Sequence, residues 1–238
     1  MSFFDECALN YEQYAEIQSE LVEWGCEWLE GDLAGKEALE LGAGTGLLTR
    51  KLSDTGINLL ATDLSSSMLR RCQSNVPRVS SMKLDAWNPK KFKKFDRIYS
   101  SALLQWSSCP QNVLSKWSSL LLPKGKILSF LFTKGTLSEF EEIEPGITSV
   151  DWFSGEEWSK HFTQAGFRVL RSEESNRSCC FTDALTILKN LRAIGAARRG
   201  IYKPGHLRQI LQQYDHRCGL ESGQVSSNWT FFRIEAVI

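Results

Sequence analysis

The residues best equipped for chemistry are Glu40-Leu-Gly-Ala-Gly-Thr-Gly46, read together with Asp63. Gly42, Gly44 and Gly46 allow a sharp backbone turn and leave no Cβ between the main chain and a ligand. Asp63 ends the next apolar run, where a carboxylate can accept hydrogen bonds from both hydroxyls of a ribose. Together they predict a nucleoside pocket. The dinucleotide fingerprint G-x-G-x-x-G/A needs a small third residue for close helix–strand packing. Here that position is Leu47 and the extra glycine is Gly46, so a dinucleotide is disfavoured.

The flanking sequence predicts the elements that must position this turn. Tyr14, Ile17, Leu21, Trp24 and Trp28 fall at spacings of three and four, the apolar face of an N-terminal helix. Strands are expected at 36–41, 57–63, 80–85, 96–101 and 126–132, with helices at 47–54, 65–75 and near 111–122. Ser65 is a plausible N-cap, and Pro123-Lys-Gly125 a break. Ser154-Gly-Glu-Glu157 has the form of a capping box before a helix that Gly166 ends. A strand at 167–170, helices at 182–194 and 204–216, and a strand at 229–237 complete the series. Alternating β and α elements imply an α/β fold with a mostly parallel sheet and helices on both faces. The expected single domain has a helical cap at 1–34, a core at 35–171, a helical lid at 172–222 and a closing strand at 223–238. Ligands of such sheets bind beyond the carboxyl ends of the strands. The glycine turn, Asp63, Asp85-Ala86 and the stretch 100–106 all lie there.

Composition narrows the class. Lysine plus arginine and aspartate plus glutamate both total 28 in 238 residues, so no global charge steers the chain to nucleic acid or an anionic membrane. No apolar run reaches the roughly 18 residues of a membrane span. The start, Met1-Ser-Phe-Phe-Asp-Glu6, lacks the basic and apolar regions of a signal peptide. Seven cysteines without a C-x-x-C pair suggest neither a disulfide framework nor a zinc site. Reduced thiols in a cytoplasmic monomer, without metal, are expected.

Glu-x-Gly-x-Gly-x-Gly with Asp63 resembles motif I of class I S-adenosylmethionine-dependent methyltransferases. More distinctive are Asn10-Tyr-Glu-Gln-Tyr-Ala-Glu-Ile-Gln18, Tyr99-Ser-Ser-Ala-Leu-Leu-Gln-Trp106 and Phe130-Leu-Phe-Thr-Lys-Gly-Thr-Leu-Ser-Glu-Phe140. With Thr182-Asp-Ala-Leu185 and Leu191-Arg-Ala-Ile-Gly-Ala196, they resemble the malonyl-acyl-carrier-protein O-methyltransferases of biotin biosynthesis, over nearly the whole chain. Ala43 stands where that family often has Cys, and Ser101 where it usually has Asn. The segment 197–203 is shorter than the family's loop.

The resemblance implies a Rossmann-like class I methyltransferase sheet with S-adenosyl-L-methionine as cofactor. It implies methyl transfer to the free carboxylate of malonyl-acyl-carrier protein, or of malonyl-CoA, for chain elongation toward pimelate. The cofactor contacts expected are Tyr11, Tyr14, Gln18, Glu40, Gly42, Ala43, Gly44, Gly46, Asp63, Leu64, Met68, Asp85, Ala86, Ser100 and Ser101. Asp85 would hold the adenine amino group, with Ala86 supplying a backbone N–H and Leu64 and Met68 flanking the ring. Tyr11, Gln105 and Trp106 are candidates for positioning the acceptor. A carboxylate is already ionised at neutral pH, so no general base is required, and His161, His206 and His216 lie away from the motif loops. The acidic carrier needs a basic docking surface: Arg192, Arg198, Arg199 and Lys203 over the pocket mouth, or the run Lys90-Lys-Phe-Lys-Lys94. Two other readings stay open: a methyltransferase for a free small carboxylic acid, resembling trans-aconitate methyltransferases, and a non-catalytic cofactor-binding subunit.

Overall fold

Strand β1 (Glu37–Leu41) is buried from Ala38 to Leu41 whichever way its side chains point, and β2 (Asn58–Asp63) carries Leu59-Leu60-Ala61 at its centre, as expected of parallel strands covered on both faces. The computed structural model describes residues 15–89, 93–148, 150–194, 196 and 202–238. Its sheet continues with β3 (Ser80–Lys83), β4 (Phe95–Ser101), β5 (Leu121–Phe132), β6 (Arg168–Phe181) and β7 (Val225–Val237). The order across the sheet is β3-β2-β1-β4-β5-β7-β6. Strands β1 to β5 pair in parallel, and β7 runs antiparallel between β5 and β6. The chain reverses its direction of travel across the sheet between β1 and β4. The glycine turn therefore leaves the sheet at the switch point.

Alternation along the strands builds two cores. Ala38, Tyr99, Leu128, Phe130 and Phe132 face one cluster. Into it pack α1 (Glu16–Cys26), α2 (Leu47–Ser53) and α3 (Ser66–Asn75). Leu39, Ile98, Ile127 and Leu131 face the other, which is covered by α4 (Pro110–Ser118) and α6 (Gly155–Gln164). Helix α6 starts on the expected capping box, with Ser154 and Glu157 bonded reciprocally, and Gly166 follows it at φ +93°. Ser65 caps α3 by accepting from the Met68 N–H at 3.1 Å.

Three local expectations are corrected, and two short elements are added. Helix α1 ends at Cys26, so Trp28 lies in the following turn rather than on the helix face. There it stacks under the guanidinium groups of Arg171 and Arg233. Pro123-Lys-Gly125 is a bulge inside β5, not a break before it: Phe95 pairs with Leu121 and Arg97 with Lys126. Proline has no N–H for the ladder and Lys124 is left-handed at φ +65°, so the pairing skips them. Strand β6 runs to Phe181, not 170, which moves the start of the helical insertion from 172 to 182. As an edge strand it pairs along one side only, and its polar, largely exposed sequence hides it. Helix α5 (Ser138–Ile143) and a 3-10 turn (Leu104–Trp106) were not anticipated.

The insertion, α7 (Ala184–Ile194) and α8 (Pro204–Cys218), is built into the first core. Ile187, Leu188, Leu191, Ile210 and Tyr214 are buried in that core. The Tyr214 ring stacks on Phe140 at 4.0 Å, and its hydroxyl donates to the Ser226 carbonyl at 2.9 Å. Among the described residues, no helix is long and apolar enough to cross a membrane.

Candidate active site

Each glycine of the turn has a separate reason. All three are left-handed, at φ +74°, +55° and +98° for Gly42, Gly44 and Gly46, a region costly for residues with a Cβ. A Cβ on Gly42 would meet the Leu103 side chain at 2.8 Å, and one on Gly46 would lie 3.1 Å from Cys72 Sγ. Gly42 thus lets the 3-10 loop close over the turn, and Gly46 caps α2 against α3. A Cβ on Gly44 would meet nothing within 4 Å, because Gly44 borders a cavity. Its N–H donates to Asp63 Oδ2 at 2.9 Å, and the Ser65 N–H donates to Oδ1 at 2.8 Å. The Asp63 carboxylate is thereby fixed between the tips of β1 and β2.

Beneath the turn, Glu40 is buried and accepts from the Thr49 hydroxyl at 2.7 Å. Burial pushes its carboxyl up to about 8, against the Thr49 hydrogen bond and with a contribution from the Asp63 charge. Glu40 therefore carries a proton at neutral pH.

The cavity, about 210 Å³, spreads across the strand tips in sheet order. Asp63, Leu64, Met68, Asp85, Ala86 and Trp87 line it on the β2 and β3 side. Gln18, Gly42, Gly44, Ser101, Gln105 and Trp106 lie at its centre, beyond β1 and β4. Phe132, Leu137, Trp152, Leu191, Ile194 and Trp229 form the far wall, from β5, β7 and α7. Asp63 and Asp85 are the only charged side chains among the described lining residues, and both sit on the first side. The Asp85 carboxylate is oriented by the Trp87 N–H at 2.9 Å. Ala102 at φ +50° and Leu137 at φ +56° are left-handed without being glycine, and both line this cavity. Such strained backbone concentrates at functional sites.

Several expected residues fall elsewhere. Ser100 alternates to the other side of β4 from Ser101, and its hydroxyl lies 2.9 Å from that of Ser129, buried away from the cavity. Glu40 and Ala43 line a small hollow behind the turn, shared with Gln18 and Ser101; Gly46 lines neither space. Arg192 is half-buried on α7 and Lys203 is exposed before α8, and neither joins the cavity wall. Tyr11, Tyr14, Arg198 and Arg199 lie outside the described residues. Lys93 pairs with Glu37 at the start of β1, at the opposite end of the sheet; Lys90, Lys91 and Phe92 of that run lie outside the described residues. His161 is wedged between Phe153 and Trp158, and burial lowers its pKa; none of the three histidines lines the cavity. Trp87, Leu103, Trp152 and Trp229 were missed. An aromatic residue signals burial before it signals a site, and neither Trp152 nor Trp229 lies in a motif.

A methyltransferase-domain family profile matches residues 39–129, the stretch from β1 to β5 that carries the turn and Asp63. Sheet order, glycine turn and this match define the chain as a class I S-adenosylmethionine-dependent methyltransferase. Within that class its sequence relatives include proteins named malonyl-[acyl-carrier protein] O-methyltransferase. One, from Ilyobacter polytropus, is 26% identical over 202 residues, covering 81% of this chain and 78% of the relative. Another, from Methylococcus capsulatus, is 26% identical over 246 residues, covering 97% and 89%. Solved structures share the fold at lower identity. The YcgJ protein of Bacillus subtilis has a TM-score of 0.67 at 13% identity, covering 92% of this chain and 97% of its own. Phosphoethanolamine N-methyltransferase 2 of Haemonchus contortus, solved with S-adenosyl-L-methionine, has a TM-score of 0.59 at 18% identity, covering 98% and 60%.

Proposed function

We propose that this enzyme methylates the free carboxylate of a malonyl thioester carried on acyl carrier protein, at an early step of biotin synthesis. The observation that carries the reading is the far wall of the cavity. Its described residues include no histidine, lysine, arginine or acidic side chain, so they supply no general base. An acceptor entering there must already be a nucleophile, as a carboxylate is at neutral pH. The named relatives support the malonyl thioester as the particular acceptor.

The residues fit the cofactor's separate parts. Asp63 takes the ribose hydroxyls, with Gly44 leaving room beside it. Leu64 and Met68 flank the adenine, and Asp85 with Ala86 receives its edge. Gln18, whose buried Oε1 has no partner among the described residues, reaches the amino-acid end, and Ser101 lies beside it in the hollow behind the turn. Bound S-adenosyl-L-methionine supplies a sulfonium methyl group, and its passage to an oxyanion turns two opposite charges into neutral products. The apolar wall favours that loss of charge, because it excludes the water that would stabilise the separated ions. Gln105 and Trp106 hold the acceptor in line, the main source of acceleration when no proton moves.

The test is complementation of a biotin auxotroph lacking its malonyl-carrier methyltransferase. The wild-type chain restores growth and Asp63→Ala does not. Failure of a well-expressed, soluble wild type to rescue would overturn the reading in favour of a free small acid as acceptor.

A further inference from the structure

Residues that carry buried polar atoms without partners recur around one space. Among the described residues, five that line the cavity carry a buried side-chain nitrogen or oxygen without a hydrogen-bond partner: Gln18, Ser101, Gln105, Trp152 and Trp229. A native fold rarely leaves such atoms unpaired, because each loses its hydration without replacement. Gathered beside a single cavity, they indicate a ligand that completes them.

The two indoles are the informative members. Gln18 and Ser101 also border the hollow behind the glycine turn, and so belong with the cofactor. Trp152 before α6 and Trp229 on β7 belong to the far wall, Trp229 also bordering a smaller hollow beside Glu16 and Asn190, and an indole nitrogen can only donate. Trp229 is 4% exposed and is held edge-on by the Phe132 ring at 5.4 Å. The described wall around them has no cation. A ligand that satisfies two neutral donors and no cation presents oxygen acceptors.

We infer that the indole N–H groups of Trp152 and Trp229 are the donors that orient the acceptor's oxygens, positioning residues for the methyl transfer. This rests on the carboxylate reading above and extends it. Neutral donors suit the reaction better than a guanidinium would. A cation stabilises the reactant carboxylate more than the transition state, in which that charge is fading, and so would slow the step. An indole N–H fixes direction with a smaller preference for the ion. The neutral ester then leaves without breaking an ion pair.

Trp152→Phe and Trp229→Phe retain an aromatic ring and remove the donor. Each should raise KM for the acceptor about tenfold, the loss of roughly one hydrogen bond. The dissociation constant of S-adenosylhomocysteine, measured by calorimetry, should be unchanged. On isotopically labelled wild type saturated with S-adenosylhomocysteine, the two indole N–H resonances should move downfield when the acceptor is added, a result that needs no variant to fold. Unmoved resonances, or unchanged KM in both variants, would overturn the inference, as would a change confined to cofactor affinity. Wild type is assayed first on malonyl-carrier protein, malonyl-CoA and free malonate, and the variants on whichever it methylates. Exclusive use of the free acid sinks the carrier reading and leaves the indole test standing on that acid. Methylation of none of the three sinks both.

Discussion

A single carboxylate, Asp63, joins the two loops that make the cofactor side of the cavity, because its oxygens receive the Gly44 and Ser65 N–H groups. The glycines around it are not equivalent, and substitution separates them. Gly42→Ala places a methyl 2.8 Å from Leu103 in a left-handed backbone, and should lower stability by about 2 kcal/mol, read by urea unfolding. Gly44→Ala meets no neighbour. It should cost only about 1 kcal/mol of backbone strain while weakening S-adenosylhomocysteine binding, measured by calorimetry, by about tenfold or more. Glu40 gives a pH prediction. Its folded pKa, about 8, lies above the ordinary 4.5, so the native state holds this proton more tightly than the unfolded chain. The contribution is fully present below about pH 4.5 and is lost as the pH rises through about 8. Glu40→Gln keeps an acceptor for Thr49 and never ionises. Its urea midpoint should fall less than that of wild type between about pH 5 and about pH 9.

Elements are held in register by charge as well as by apolar burial. Arg233 of β7 is 5% exposed and stacks on Trp24 and Trp28. It donates to the Trp24 carbonyl, Glu27 and Glu173, tying the end of α1 to the sheet. Close by, Glu30 binds Arg97 and Lys126. Burial alone would raise its carboxyl, but these partners outweigh burial and bring it down to about 2. The stabilisation is therefore present above about pH 4.5 and lost as the pH falls through about 2. Glu30→Gln should remove about 1–3 kcal/mol at neutral pH and nearly nothing below about pH 2, as seen in acid unfolding curves. These ties could not be read from the sequence, because Glu30 and Arg97, or Trp24 and Arg233, meet only after the sheet is assembled. What was legible was local: the capping box at Ser154, the N-cap at Ser65, and the alternation of strands and helices from β1 to β4. The polar edge strand β6 carried no such signal, and its far end was read as insertion.

Across the whole molecule, the fold and the cofactor side of the site were legible because they depend on short-range chemistry: glycines in a turn and an acid at a strand tip. The acceptor side is assembled from β5, β7, the segment before α6 and the insertion. Its tryptophans come from positions 152 and 229, too far apart to form a motif. Of the basic surface expected over the mouth, Arg192 is half-buried on α7 and Lys203 is exposed before α8, while Arg198 and Arg199 lie outside the described residues. In the function proposed above, this apolar chamber transfers methyl to a carboxylate already ionised and carried on a thioester. The measurement that tests it most directly is transfer of a radiolabelled methyl from S-adenosyl-L-methionine to malonyl-carrier protein, with malonyl-CoA, free malonate and free aconitate as competitors. The account predicts a base-labile methyl ester on the carrier-bound acid, with kcat/KM at least about tenfold above either free acid, a gap of about 1.4 kcal/mol in transition-state binding. A free acid methylated as well or better, or a base-stable product, would contradict it.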